Sequence, residues 1–345
     1  MASNTTVKMP GTTKMTPDLV FSEEMAFAII IIFHRAIFPS MGVLGIAGNV
    51  TSMVILTRRG LRKCSNILLL SLSVSNVTFL IGVNNFTQHI YSNNDPEGFQ
   101  FSKSINYVCY ICHLICNLAY ALGVTMGPLI PILITGERII AIFCPLKANF
   151  ILTPRRTVIT LLCFFLVTGL YCFYHEILCV QLKTYVINGV TTTLIVDSDM
   201  WRNHVNSGLY QLLEHILNYL TGIIALGMIT VGCVIIGLKI IYITKRRQQL
   251  TSRVNASTKR GITKTTKTLL KICFLYIVCY GSAFGLAYIV ENKLQQWSVI
   301  RVVVCVHNLI VCINCLGDFL IYVASNATFW TSITVFRRMK TSFWK

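Results

Sequence analysis

The groups most able to do chemistry in this 345-residue chain are Glu137-Arg138, at one end of a long apolar run, and Asp318, inside another. An arginine and a carboxylate held together at a membrane edge form a pair that is expensive to break, so it can hold one state until something else accepts the arginine. That is the chemistry of a switch. No HExxH zinc motif, no paired membrane aspartates and no GxSxG elbow offers covalent or metal-assisted catalysis, and no metal site is expected. Asn49 beside Gly48, Asn76, Asn314 and Asp318 also lie within apolar runs. Polar side chains there either glue helices together or build a functional site.

The elements that carry these groups follow from composition. The chain is 54% hydrophobic and only 12% charged, against about a quarter charged in soluble domains. Apolar stretches recur at 27–56, 67–90, 107–135, 158–180, 216–243, 269–290 and 302–324. Each reaches the roughly 20 residues a membrane-spanning helix needs. None alternates as the strands of a membrane barrel do. The expected fold is an all-α bundle of seven transmembrane helices over 27–324, after an extracellular segment 1–26 and before a cytoplasmic tail 325–345. In that tail Phe329, Trp330 and Ile333 against Arg337, Arg338 and Lys340 read as a short amphipathic eighth helix on the inner leaflet.

Charge sets the orientation. After the first, third and fifth spans and in the tail lie 21 of the 30 Lys and Arg residues, among them Arg58, Lys147, Arg246 and Arg337. The positive-inside rule makes that side cytoplasmic, with the N-terminus outside at the plasma membrane. The net charge of +18 therefore addresses anionic lipid, and no nucleic-acid partner is called for. Residues 1–18 lack the layout of a cleavable signal, so the first span is expected to insert the chain. Asn4-Thr5-Thr6 is a glycosylation acceptor on the outer side, and Asn85-Phe86-Thr87 is another near the outer end of the second span. Most of the fourteen cysteines lie in apolar spans, but Cys179 falls on the connection from span four to span five. Its expected disulfide partner is Cys112 or Cys109, at the outer end of span three.

The ordered set of motifs resembles the rhodopsin-like family of G-protein-coupled receptors, from span one through the tail. Gly48-Asn49, Leu72-Ser73-Val74-Ser75-Asn76, Gly136-Glu137-Arg138 and Asp318-Phe319-Leu320-Ile321-Tyr322 stand where that family carries its signatures. The run from Glu137-Arg138 through Cys144-Pro145 to Arg155-Arg156 is similar to invertebrate chemosensory and neuropeptide receptors. The sequence departs from the pattern at Asn76, at Cys279-Tyr280-Gly281-Ser282, at Phe319 in place of a proline, and in having Pro128 and Pro131 within span three. These departures relocate the helix bends.

The resemblance implies roles. Glu137, Arg138, Tyr242 and Tyr322 would form the switch that couples to a heterotrimeric G protein. Asn49, Asn76, Asn314 and Asp318 would converge in a polar core, with a sodium ion near Asp318 as the one possible cofactor. Thr263 to Lys267 contains no acid to restrain Arg138 from span six, which implies raised basal signalling. The ligand pocket would be lined by Asn117, Tyr120, Ala121 and Val124 on span three, Tyr280 and Phe284 on span six, and His307 and Asn308 on span seven. Tyr120 replaces the aspartate of amine receptors and Cys312 the retinal lysine of opsins. An extracellular peptide or chemosensory small molecule is therefore the expected ligand. A transporter, which would show related halves and broken helices, and a signalling-silent receptor are the alternatives.

Overall fold

The computed structural model describes residues 22–92, 97–205, 208–250, 257–293 and 297–325. Asn4 and the expected eighth helix lie outside them. Among the described residues seven helices are long and apolar enough to cross a membrane: Glu23–Arg58, Cys64–Gln88, Lys103–Phe143, Pro154–Leu178, His215–Ile243, Thr266–Leu286 and Val299–Ala324. The chain is thus a multi-pass membrane protein. The first helix starts at Glu23, where the Ser22 hydroxyl accepts a hydrogen bond from the Met25 amide at 3.2 Å. The fourth starts at Pro154, whose missing amide hydrogen costs nothing there, and Thr153 caps Arg156 at 3.3 Å.

Span three is the axis of the bundle. Spans two and three approach backbone to backbone through reciprocal glycines: a Cβ at Gly123 would strike the Phe79 backbone, and one at Gly82 the Tyr120 backbone. Small residues are how membrane helices gain close packing, because apolar side chains gain little by leaving lipid. Phe79, Leu80, Met126, Ile130 and Ile134 fill the centre, fully buried, while Leu162, Leu166 and Val167 of span four face outward as a lipid-exposed surface would. Pro128 and Pro131 sit buried inside the third helix, and Thr135 returns its hydroxyl to the Pro131 carbonyl at 2.8 Å.

The all-helical expectation gains one addition. Strands β1 (Val180–Ile187) and β2 (Val190–Asp197) pair antiparallel between spans four and five. Their two-residue turn, Asn188-Gly189, holds φ of 53° and 81°, the left-handed pair that a tight hairpin requires. Phe99 exchanges both backbone hydrogen bonds with Thr193, each at 2.9 Å, and adds an isolated bridge. This end of the bundle is called the hairpin end below, and the opposite one the basic end.

Candidate functional site

At the basic end, Arg138 lies on the last turns of span three and is buried. Its Nη2 donates to Glu137 Oε1 at 3.0 Å and approaches Oε2 at 2.8 Å, with both side chains only about a tenth exposed. An ion pair this dry is held by its own attraction, and removing one partner would strand the other charge. One turn earlier, the Thr135 hydroxyl meets Cys273 Sγ of span six at 3.5 Å, joining the two spans beside the pair. Tyr242 is placed elsewhere: it is more than half exposed, and the Lys239 ammonium covers both its ring and that of Phe143.

Midway through the bundle, four polar residues from spans one, two and seven meet as one buried cluster. Asn76 Nδ2 donates to Asn49 Oδ1 at 3.3 Å and to Asp318 Oδ2 at 3.1 Å. Asn49 Nδ2 in turn donates to the Cys315 carbonyl at 3.1 Å, and Asn314 Nδ2 reaches Asp318 Oδ2 at 3.5 Å. Asp318 Oδ1, Asn314 Oδ1 and Ser52 Oγ are buried with no hydrogen-bond partner among the described residues. Orphaned buried acceptors call for water or an ion. A narrow cleft large enough for about one water molecule adjoins them, lined by Ser52, Ser73, Asp318, Phe319 and Tyr322 among others.

Toward the hairpin end, the residues expected to line a ligand pocket divide. The Tyr120 hydroxyl donates to Asn308 Oδ1 at 2.9 Å, bridging spans three and seven. Tyr280 is buried, stacks on Tyr276 with ring centroids 4.3 Å apart, and leans on Phe284 at 6.4 Å. Ala121 and Val124 are half-buried beside them on span three. His307 bonds the Ala283 backbone of span six. Asn117 belongs to another group. It is bonded to Asn85 and His113, in a polar cluster joining spans two and three that motif reading does not single out. Asn85 and Thr87 are buried in that cluster, so this glycosylation pattern is structural.

The hairpin is fastened over this end. Asn106 donates to Thr193 Oγ1 at 2.8 Å and to the Phe99 carbonyl at 3.3 Å, and accepts from the Phe101 amide at 3.0 Å. Tyr110 donates to the Val180 carbonyl at 3.2 Å, and Tyr91 accepts from the Ile195 amide at 3.3 Å. Burial pushes the Tyr91 phenol above its ordinary pKa, which keeps it neutral in that role. The expected disulfide is corrected here: Cys109, Cys112 and Cys179 are free thiols. Tyr110, between the two candidate partners, takes the position facing the start of β1, and the Cys179 thiol is engaged by Tyr174 of span four. Burial also pushes the Cys179 thiol upward, which keeps it protonated.

Residues 48–322 match the family model described as 7 transmembrane receptor (rhodopsin family). The chain is 25% identical over 295 residues to the FMRFamide receptor of Drosophila melanogaster, a match covering 82% of this chain and 50% of that one. It is 28% identical over 138 residues to a probable G-protein coupled receptor of Caenorhabditis elegans, covering 39% of this chain and 30% of that protein. The chain therefore spans half or less of the length of these curated relatives.

Proposed function

From the fact that the chain belongs to the rhodopsin family of seven-transmembrane receptors, we propose that it is a peptide receptor of the plasma membrane that activates a heterotrimeric G protein. Its N-terminus would lie outside and its C-terminus inside, a placement that the excess of Lys and Arg between the spans supports. The observation that carries the coupling half of this reading is the buried Glu137–Arg138 pair. A guanidinium taken out of water leaves its carboxylate only for an equally good acceptor, and a docking G protein supplies one when the spans separate.

The ligand half rests on the bridge between Tyr120 and Asn308, with the aromatic wall of Tyr276, Tyr280 and Phe284. Aromatic faces with a few placed polar groups suit a peptide's side chains and backbone. The resemblance to a receptor named for FMRFamide favours a short peptide of that kind over an odorant. Near Asp318, the carboxylate with the hydroxyls of Ser52 and Ser73 offers oxygen donors to a small cation such as sodium, which would neutralise the charge there.

The test is G-protein activation in cells expressing the full chain, with a panel of FMRFamide-like peptides and with Arg138→Ala at matched surface level. The expected result is peptide-dependent activation that falls at least tenfold in the variant, with basal activity above mock-transfected cells. Activation unchanged by Arg138→Ala would overturn the coupling mechanism. No activation from well-expressed receptor would favour a signalling-silent receptor or a transporter.

A further inference from the structure

Four side chains at the hairpin end, Asn85, Thr87, His113 and Asn117, close a hydrogen-bonded ring. Asn117 Nδ2 donates to His113 Nε2 at 3.0 Å, and Asn85 Nδ2 donates to Asn117 Oδ1 at 3.0 Å. Asn85 Oδ1 accepts from the Thr87 hydroxyl and, at 3.1 Å, from the Thr87 amide. Thr87 Oγ1 then lies 3.3 Å from His113 Nδ1, the same distance that separates Nδ1 from Asn85 Nδ2. Because Nε2 must accept, Nδ1 carries the hydrogen and donates it to Thr87; Asn85 Nδ2, itself a donor, makes no bond to Nδ1 in this tautomer and gives its hydrogen to Asn117 Oδ1, and the ring closes with a neutral imidazole. His113 is 7% exposed and Thr87 fully buried, so no bulk water stands ready to replace a lost partner.

We propose that this ring is a proton sensor, in which protonation of His113 unfastens the hairpin end of span two from span three. A second N–H on the imidazole would face the Asn117 amide, donor against donor, at a site that holds 3.0 Å when bonded. Turning the Asn117 amide over restores that contact only by presenting its nitrogen to Asn85 Nδ2, so the conflict moves around the ring and does not vanish. The ionisable groups facing His113 decide where a charged ring goes. Tyr91, packed above it with centroids 6.5 Å apart, is a neutral phenol. Cys109, Cys112 and Cys116 flank it on its own helix. Among the described residues, the carboxylate whose charge favours a protonated ring is Glu176, at the end of span four.

Glu176 is bound to His175 Nδ1 at 2.9 Å, and its side chain is about a quarter exposed. That carboxylate favours a charged His113, which at the same time loses its bond from Asn117. The joint then has two states: a neutral ring that ties span two to span three, and a charged one that releases that tie. Two turns further along span three is Tyr120, so ligand affinity at the pocket proposed above would follow the proton. That consequence rests on the receptor reading; the joint itself does not.

The experiment therefore uses no ligand. Hydrogen–deuterium exchange of the full chain in nanodiscs, corrected for intrinsic rates, is compared at roughly pH 7.5 and 4.5, the lower value set well below the ordinary imidazole range because the ring holds the neutral form. The expected result is that amides 85–92 lose about tenfold in protection on acidification, while those of the mid-bundle core change less than twofold. His113→Gln, which keeps a donor and an acceptor but takes no proton, abolishes that difference. Equal protection at both pH values in the wild type would overturn the proposal. So would a folded His113→Gln variant that retains the full acid response. Should that variant not fold, Glu176→Gln, which withdraws the carboxylate that favours the charged state, must shift the loss to lower pH, and an unshifted loss overturns the proposal.

Discussion

Two polar clusters cross the same bundle and are built on opposite terms. In the ring of Asn85, Thr87, His113 and Asn117, each donor and acceptor named above has a partner inside the ring. In the cluster of Asn49, Asn76, Asn314 and Asp318, three buried oxygens in or beside it, those of Asp318, Asn314 and Ser52, have none among the described residues, and a cleft adjoins Asp318 and Ser52. A closed ring is rigid and fails as a unit, because any lost member strands its neighbours. A cluster with spare acceptors takes up water and can change partners at small cost. The first suits a joint with two positions, and the second suits a region through which the spans slide.

The largest effect that separates the two is expected from Asn85→Ala. It leaves the Thr87 amide, the Thr87 hydroxyl and Asn117 Oδ1 unpaired in a dry site, and each unmet group costs about 1–3 kcal/mol. A net loss of about 3 kcal/mol is expected. Asn314→Ala, in the other cluster, removes one long bond at 3.5 Å together with an oxygen that had no partner, for about 1 kcal/mol or less. Unfolding of the two variants in matched nanodiscs measures the gap. Equal losses would mean that the mid-bundle cluster is as closed as the ring.

The seven spans were legible because twenty apolar residues in a row admit few other structures, and the Glu137–Arg138 pair because its partners are neighbours in sequence. The meeting of Asn49, Asn76 and Asp318 needed the order of family motifs, since nothing local says that residues 76 and 318 touch. The ring was not legible. Helical periodicity places Asn117 on a face of span three but not against a particular neighbour, and Asn85-Phe86-Thr87 carries a surface pattern that burial turns inward. The hairpin was legible in principle: Asn188-Gly189 between runs rich in Val and Thr is a strong turn signal, outweighed here by the helical character of everything around it. Cys109, Cys112 and Cys179 remain free, and it is Tyr110 that bonds the start of β1, a contact that the cysteine spacing alone does not announce.

The smallest expected effect is the sharpest check on the difference between the clusters. Ser52 Oγ is buried without a partner among the described residues, on the cleft beside Asp318, so Ser52→Ala removes no bond seen among them. The variant gives up whatever a cleft water supplies and also gives up the cost of keeping a hydroxyl dry, two terms of similar size and opposite sign. Stability is therefore expected to stay within about 0.5 kcal/mol of the wild type. A loss beyond roughly 1.5 kcal/mol would assign that hydroxyl a firm partner, because only a satisfied buried group costs so much to delete. The mid-bundle cluster would then be as closed as the ring, and the looser, water-accepting role given to it would fall.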